Sequence, residues 1–283
     1  MGREVSFGRL LREKKTPIVR ESIVEDIDKA CSNGILFNGV FSPRKVSSYL
    51  RKMIEGLGEF DRDKFFGDFF DLYSLVMAPD GRAQGVFHPS QLLDACQRQM
   101  YFELTGEEPT DSVCDTISGS LRRTFDVGTW YHLYMQNVLF KLGMLEGAEV
   151  PVVNKEKYLN GKADGVFKKE VFGERVVLEI KTMNSFNFGK AVFKPFKKHE
   201  FQASLYAREL GIKKVLYLYI NKDTSEIRDF LMPINEEQLK LADAKMNNII
   251  ASIKSGTLPK KSCKDKYSDC AIRCPFVSKC FID

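Results

Sequence analysis

The chain has 283 residues, 43% of them hydrophobic and 29% charged, the proportions of an ordinary globular protein long enough to bury a sizeable core. Its 43 Lys+Arg against 38 Asp+Glu leave a formal charge of +5, which is compatible with a polyanionic partner but too small to establish one. Apolar runs such as Val215 to Ile220 are far shorter than a membrane span and the N-terminus carries no apolar signal segment, so neither membrane insertion nor secretion is expected. A cytoplasmic setting, in a bacterial cell or a phage-infected host, is the expectation.

Taken in chain order, residues 1–85 mix basic and apolar side chains, and SPRKVSSYLRKMIEGL predicts a capped helix from near Ser42. Phe65, Phe66, Phe69, Phe70 and Tyr73 fall at helical spacing and read as core, with stacking of single-stranded bases as the alternative. This stretch is read as a mostly helical appendage, and the loop from Ala78 to Gly85 as its boundary with a working domain over 86–283. From His88 a helix is predicted with Ser90 as its N-cap, followed by a second over Thr124 to Leu142 that carries His132 on a largely apolar stripe. Three strand-like runs follow, AEVPVVN, KADGVF and RVVLEIKTM, divided by turns at Asn160-Gly161 and Gly173. A helix over His199 to Leu210, strands at Val215 to Ile220 and Ile227 to Met232, and an amphipathic helix over Glu236 to Ile253 complete the series. The order predicts an α/β protein in which helices flank a mixed sheet with an α-β-β-β-α-β core.

Alternation along the third run puts Val177, Glu179 and Lys181 on one face and Leu178 and Ile180 on the other. Asp164, in the preceding run, comes beside them across a hairpin. Two carboxylates suit Mg²⁺ or Mn²⁺, and such a site with a lysine beside it is equipped for phosphodiester hydrolysis. Taken residue by residue, Glu179 and Lys181 read equally as a solvated strand face and Asp164 as a turn residue. Charges at alternate positions of an apolar strand are nonetheless costly unless they face solvent, a partner or a metal.

The segments GTWYHLYMQ, GKADGVF, VVLEIKT and QASLY, in that order, resemble the PD-(D/E)XK nuclease superfamily, in particular its RecB-like branch. The resemblance spans His88 to the C-terminus and implies a restriction-endonuclease-like fold and a metal-dependent DNA nuclease, an exonuclease in the sense that it acts on ends or single strands. It makes His132, Asp164 and Glu179 metal ligands, with the main-chain carbonyl of Ile180, and Lys181 the catalytic lysine. Gln202 and Tyr206 match an element that supports this lysine and the DNA. A helicase or recombination partner is a further expectation. The alternative is a non-catalytic or partner-dependent nucleic-acid-binding subunit, with residues 1–85 as the docking surface. The basic run Lys190, Lys194, Lys197, Lys198, together with His199, reads either as a solvated loop or as a track for a nucleic-acid backbone.

Four of the seven cysteines crowd the tail, at 263, 270, 274 and 280, a density that favours joint metal ligation over independent thiols. Spacing does not separate zinc from iron–sulfur. Some members of the same branch bind a four-iron cluster through one cysteine before the nuclease core and three after it. By that resemblance the ligands are Cys96, Cys270, Cys274 and Cys280, although three residues rather than two separate Cys270 from Cys274. The alternative is a zinc site on Cys263, Cys270, Cys274 and Cys280. Cys31 and Cys114 are read as unmodified thiols.

Overall fold

The computed structural model describes residues 21–32, 83–111, 118–272 and 274–281. The helix expected near Ser42, the aromatic group from Phe65 to Tyr73, and Cys114 lie outside these residues. The described elements are α1 (Val24–Ser32), α2 (Pro89–Leu92), α3 (Gln97–Leu104), α4 (Gly119–Lys141), β1 (Leu145–Asn154), β2 (Leu159–Phe167), α5 (Lys169–Phe172), β3 (Val176–Met183), α6 (Ser185–Lys190), α7 (Lys197–Glu209), β4 (Lys214–Asn221), β5 (Ile227–Pro233), α8 (Glu236–Ser255), α9 (Asp269–Ile272) and α10 (Val277–Cys280).

The strands form one mixed sheet in the order β1-β2-β3-β4-β5. β1, β2 and β3 form an antiparallel meander, β3 and β4 run parallel, and β5 returns antiparallel to β4. A parallel pair needs a crossover, here supplied by α6 and α7. β4, with the sequence KVLYLYIN, is rich in β-branched and aromatic residues and is buried on both faces, as an interior strand must be.

Two apolar layers sandwich the sheet. On one face Val177, Val215 and Tyr217 pack with Phe201, Ala203 and Leu205 of α7 and with Leu239, Ala242, Met246 and Ile249 of α8. On the other, Leu178, Ile180, Leu216 and Leu218 pack with Met135, Val138 and Leu139 of α4 and with Ile23, Ile27 and Ala30. The alternation expected along β3 is therefore observed, since Val177 and Leu178 enter opposite layers. α8 starts where the Asn235 side chain accepts from the Gln238 N–H at 3.2 Å, and ends at Gly256, whose φ of 67° is the left-handed conformation that glycine adopts without strain.

Two local expectations are corrected. Ser90 does not cap a long helix but lies inside the short α2, which begins at Pro89 and breaks before Cys96. Proline at the first helical position starts the helix one residue earlier, because its fixed φ suits that position. The Lys245 ammonium from α8 then holds the carbonyls of Leu93 and Ala95, at 2.9 and 2.6 Å, in the break. Asn160 and Gly161 do not form the hairpin turn; they belong to β2, and the chain reverses just before, with Tyr158 at a φ of 53°. Phe87 explains the shift, since its N–H donates to the Tyr158 carbonyl and its carbonyl accepts from the Asn160 N–H at 3.0 Å, pinning both into a short parallel bridge.

Candidate active site

Backbone pairing between β2 and β3 runs through Phe167/Val176, Val166/Val177 and Gly165/Leu178 and stops there. The next residues, Asp164 and Glu179, stand where the strands separate. Asp164 Oδ2 accepts from the Ile180 N–H at 2.6 Å, so a side chain takes the place of the missing backbone partner. On the other side, the buried Gln136 of α4 donates through Nε2 to the Asp164 carbonyl at 2.9 Å and to Glu149 Oε1 at 2.8 Å. The polar backbone groups freed by the split are thus satisfied.

His132 lies one helical turn before Gln136 on α4, and its Nδ1 sits 3.4 Å from Asp164 Oδ1. α4 comes this close to the sheet because residue 128 is glycine: a Cβ there would stand 3.3 Å from Thr182 Oγ1, next to Lys181. The Lys181 ammonium is 2.5 Å from Glu179 Oε1. Glu179 itself is fully buried, with Lys181 as the charge partner of Oε1 and no hydrogen-bond partner at Oε2. The solvated-face reading of Glu179 is thereby overturned: α7 covers this side of β3, and the charges face a cleft within the protein.

These groups set one another's protonation. Burial pushes the Glu179 carboxyl up to about 7, against the pull of Lys181. Burial raises Asp164 as well, but the His132 imidazole, the Lys181 ammonium and the Ile180 N–H outweigh it and hold this carboxyl below its ordinary range. Burial lowers His132, and Asp164 more than restores it, leaving the imidazole above its usual value. Lys181 follows the same pattern, with Glu179 and Asp164 keeping its ammonium charged against desolvation.

Tyr206 of α7 closes the wall behind the carboxylates. Its phenol is buried and held above its ordinary range by desolvation and by the charges of Glu179 and Asp164. Gln202 Nε2 approaches the Tyr206 hydroxyl at 3.5 Å. The ring lies against the backbone of β2, where a Cβ on Gly161 would stand 2.7 Å from Tyr206 Cε1. His132, Asp164, Glu179, Lys181 and Tyr206 are therefore assembled around the split in the sheet. His199 and Lys198 line the adjoining cleft. Lys194 and Lys197 are exposed and act on Glu200, and the Lys190 ammonium lies 3.8 Å over the Phe186 ring.

Among the described residues no group of three or more His, Cys, Asp and Glu side chains is gathered at metal-ligand spacing. The donor chemistry of the split nonetheless fits a hard divalent cation. Two carboxylates, Asp164 held ionised and Glu179 with a buried Oε2 that lacks a hydrogen-bond partner, share a single ammonium, and carboxylate oxygens of this kind suit such an ion.

A second constellation lies away from the sheet. Cys96, Cys263, Cys270, Cys274 and Cys280 line one small cavity with Phe102 and Phe276. Cys263 and Cys270 are joined as a disulfide, with Cα atoms 6.1 Å apart, whereas Cys96, Cys274 and Cys280 are free thiols. Both expected ligand sets include Cys270, which the structure joins to Cys263. Burial raises the Cys274 thiol; at Cys96 the Ser262 hydroxyl and nearby backbone N–H groups outweigh burial and lower it. The tail is also tied to α3 and the loop after it. Arg98 donates to the Pro259 carbonyl at 2.8 Å, the Pro275 carbonyl accepts from the N–H groups of Thr110 and Asp111, and the Ser278 N–H donates to Asp111 at 2.8 Å.

Sequence reasoning did not single out Gln136, Thr182, Asn184, Asn187 or Lys222. Gln136 alone had a legible signal, its spacing of one helical turn from His132.

No protein family and no curated protein matches the chain. Among solved structures, the alkaline exonuclease LHK-Exo from Laribacter hongkongensis superposes with a TM-score of 0.45 at 11% identity, over 61% of this chain and 89% of that one. LHK-Exo in complex with dAMP gives 0.46 at 13% identity over the same shares. SSO0001 gives 0.42 at 17%, over 73% of this chain and 95% of that one. These are partial superpositions, and the functional reading rests on the chain's own residues. No helix among the described residues is long and apolar enough to cross a membrane.

Proposed function

We propose that this chain is a metal-dependent deoxyribonuclease that hydrolyses phosphodiester bonds at DNA ends or in single strands. The observation that carries the reading is Glu179: a fully buried carboxylate, its Oε2 without a hydrogen-bond partner, set beside Asp164 and Lys181 where two strands part. His132, Asp164, Glu179 and the Ile180 carbonyl would hold Mg²⁺ or Mn²⁺. Such an ion, when bound, polarises a phosphoryl oxygen and lowers the pKa of a water.

The chain's own groups do the rest. Hydrolysis forms a phosphorus–oxygen bond to water and breaks one to a sugar oxygen, which must gain a proton. Lys181, charged and anchored by Glu179, orients the incoming water and faces the negative charge that builds on the phosphoryl oxygens. Asp164 fixes the orientation of His132 through the contact at 3.4 Å. Tyr206 and Gln202 form a wall that keeps the Lys181 side chain in the cleft. The division of the chain near residue 85, and a helicase or recombination partner docking on residues 1–85, belong to the same proposal.

A four-iron cluster on Cys96, Cys270, Cys274 and Cys280 is proposed as a structural element. Five cysteines around one cavity support it. In this reading Cys270 is a reduced thiolate and Cys263 is spare; the alternative is Zn²⁺ on Cys263, Cys270, Cys274 and Cys280. The experiment that tests the nuclease is incubation of end-labelled single- and double-stranded DNA with anaerobically purified protein and Mg²⁺ or Mn²⁺. Metal-dependent cleavage that is lost in Lys181→Ala supports it, and intact DNA with folded, metal-supplied parent protein overturns it.

A further inference from the structure

Beyond Lys181 the groove widens into a cleft of about 360 Å³, bounded by the end of β3, the start of α6, the first turn of α7 and Lys222 after β4. This volume lies near the lower end of the ~300–1,000 Å³ typical of small-ligand pockets. Its charged side chains are Lys181, Lys198 and Lys222, and no carboxylate lines it. Lys198 and Lys222 form no close ion pair among the described residues, although the Lys222 charge is felt at Asp223. The acid next in sequence, Asp223, is engaged by the Ser185 N–H at 2.7 Å. Asn184 and Asn187 add amide groups at the rim.

The buried polar group in this cleft is His199. Its Nδ1 lies 2.6 Å from the Tyr219 hydroxyl, which also accepts from the Phe196 N–H at 2.8 Å. Tyr219 is fully buried, so its proton needs an acceptor, and among the described residues His199 Nδ1 is the one within reach. The tyrosine therefore donates, which fixes the proton of the imidazole on Nε2. Burial, with Lys181 and Lys198 nearby, pushes the imidazole down to about 3, so the ring stays neutral at ordinary pH.

We propose that this cleft is a subsite for the phosphate of a nucleotide adjoining the scissile bond, with Lys198 and Lys222 supplying charge and Tyr219-locked His199 an uncharged Nε2–H donor. A neutral donor with two ammonium groups and no acid selects a phosphate oxygen over a cation or a base edge. The inference rests on the nuclease reading for the identity of the strand, but not for the binding itself. The phosphate is either a terminal one or an internal diester.

The test uses metal-free protein and a fluorescent phosphorylated thymidine tetranucleotide followed by anisotropy. Lys198→Gln/Lys222→Gln should bind at least about tenfold more weakly than the parent, the loss expected for removal of charge-assisted hydrogen bonds. Lys240→Gln, on the exposed side of α8, should bind as the parent does. Equal affinity in the double variant, or no binding by the parent, overturns the subsite even if DNA is cut. Binding lost in the variant without any cleavage by the metal-supplied parent keeps the subsite and removes the nuclease.

With cleavage present, the double variant should raise KM about tenfold and leave kcat within about twofold. If dephosphorylated ends raise the parent's KM equally, the ligand is a terminal phosphate; if ends make no difference, it is an internal diester. Nitrogen-15 spectra of the imidazoles supply an independent readout: the Nε2–H form of His199, unchanged from pH 5 to 8, is expected. A titrating ring or an Nδ1–H form would sink the role given to His199.

Discussion

Asp164 and Ile180 are joined at 2.6 Å, carboxylate to backbone N–H, at the point where β2 and β3 cease to pair. One carboxyl oxygen is thereby spent on holding the strands' parted ends, and the other faces His132. The split that exposes a strand's polar backbone is the same split that gathers the candidate metal-binding groups.

Lys181→Ala should reduce cleavage by about 10²–10⁴-fold, the range lost with a positioned charge or proton-transfer group. Its effect on stability should depend on pH. Without the ammonium, Glu179 keeps its proton to higher pH, and stability contributed by a group whose folded pKa is raised disappears as pH rises through that pKa. The gap in Tm between parent and variant should therefore widen from pH 6 to pH 9. A constant gap would remove Lys181 as the partner of Glu179.

Mn²⁺ affinity should rise with pH and level off above about 7. Glu179 titrates near 7 rather than at its ordinary 4.5, and His132 is also raised, so both must shed protons before they act as ligands. Titration calorimetry at pH 6 and 8 in buffers of different ionisation heat should show tighter binding and fewer released protons at pH 8. An affinity independent of pH would place the ion elsewhere.

Gly161→Ala should displace the Tyr206 ring, because the new methyl would stand 2.7 Å from it. Overpacking of this kind costs about 1–3 kcal/mol. In a Tyr206→Ala background the same substitution should cost far less, and a double-mutant cycle by urea unfolding measures the difference. Additive costs would mean that the two residues do not touch.

Gln136→Leu should cost about 1–3 kcal/mol, since it leaves the Asp164 carbonyl and Glu149 without their donor. The loss should appear in denaturant midpoint with an unchanged m-value. A variant as stable as the parent would show that the parted strands find another partner.

That Glu179 and Lys181 share a face of β3 beside Asp164 was legible because strand alternation and segment order survive folding unchanged, whereas His132 came only from the order of segments. Gln136 was not legible in the same way. Its role exists only because two strands part, and nothing in KADGVF or VVLEIKT marks where pairing stops. The hairpin was misplaced for a related reason. Asn160-Gly161 has the chemistry of a tight turn, but Phe87, more than seventy positions earlier, pins that dipeptide into β2 and moves the reversal to residues without such chemistry. The cleft beyond Lys181 was invisible because its walls come from four elements brought together by the β3–β4 crossover.

The C-terminal tail is held twice over. Arg98, Thr110 and Asp111 grip it through its backbone and through Ser278, and of these contacts one alone reaches a sulfur, that of Arg98 to Cys280 at 3.8 Å. Whatever the five cysteines bind, then, its departure need not set the tail free. In chelated or oxidised protein the amide hydrogens of Thr110, Asp111 and Ser278 should stay protected from exchange, with ligation lost and anchorage kept. The two could be inherited and lost separately, and a tail of this kind could shed its cargo without shedding its place.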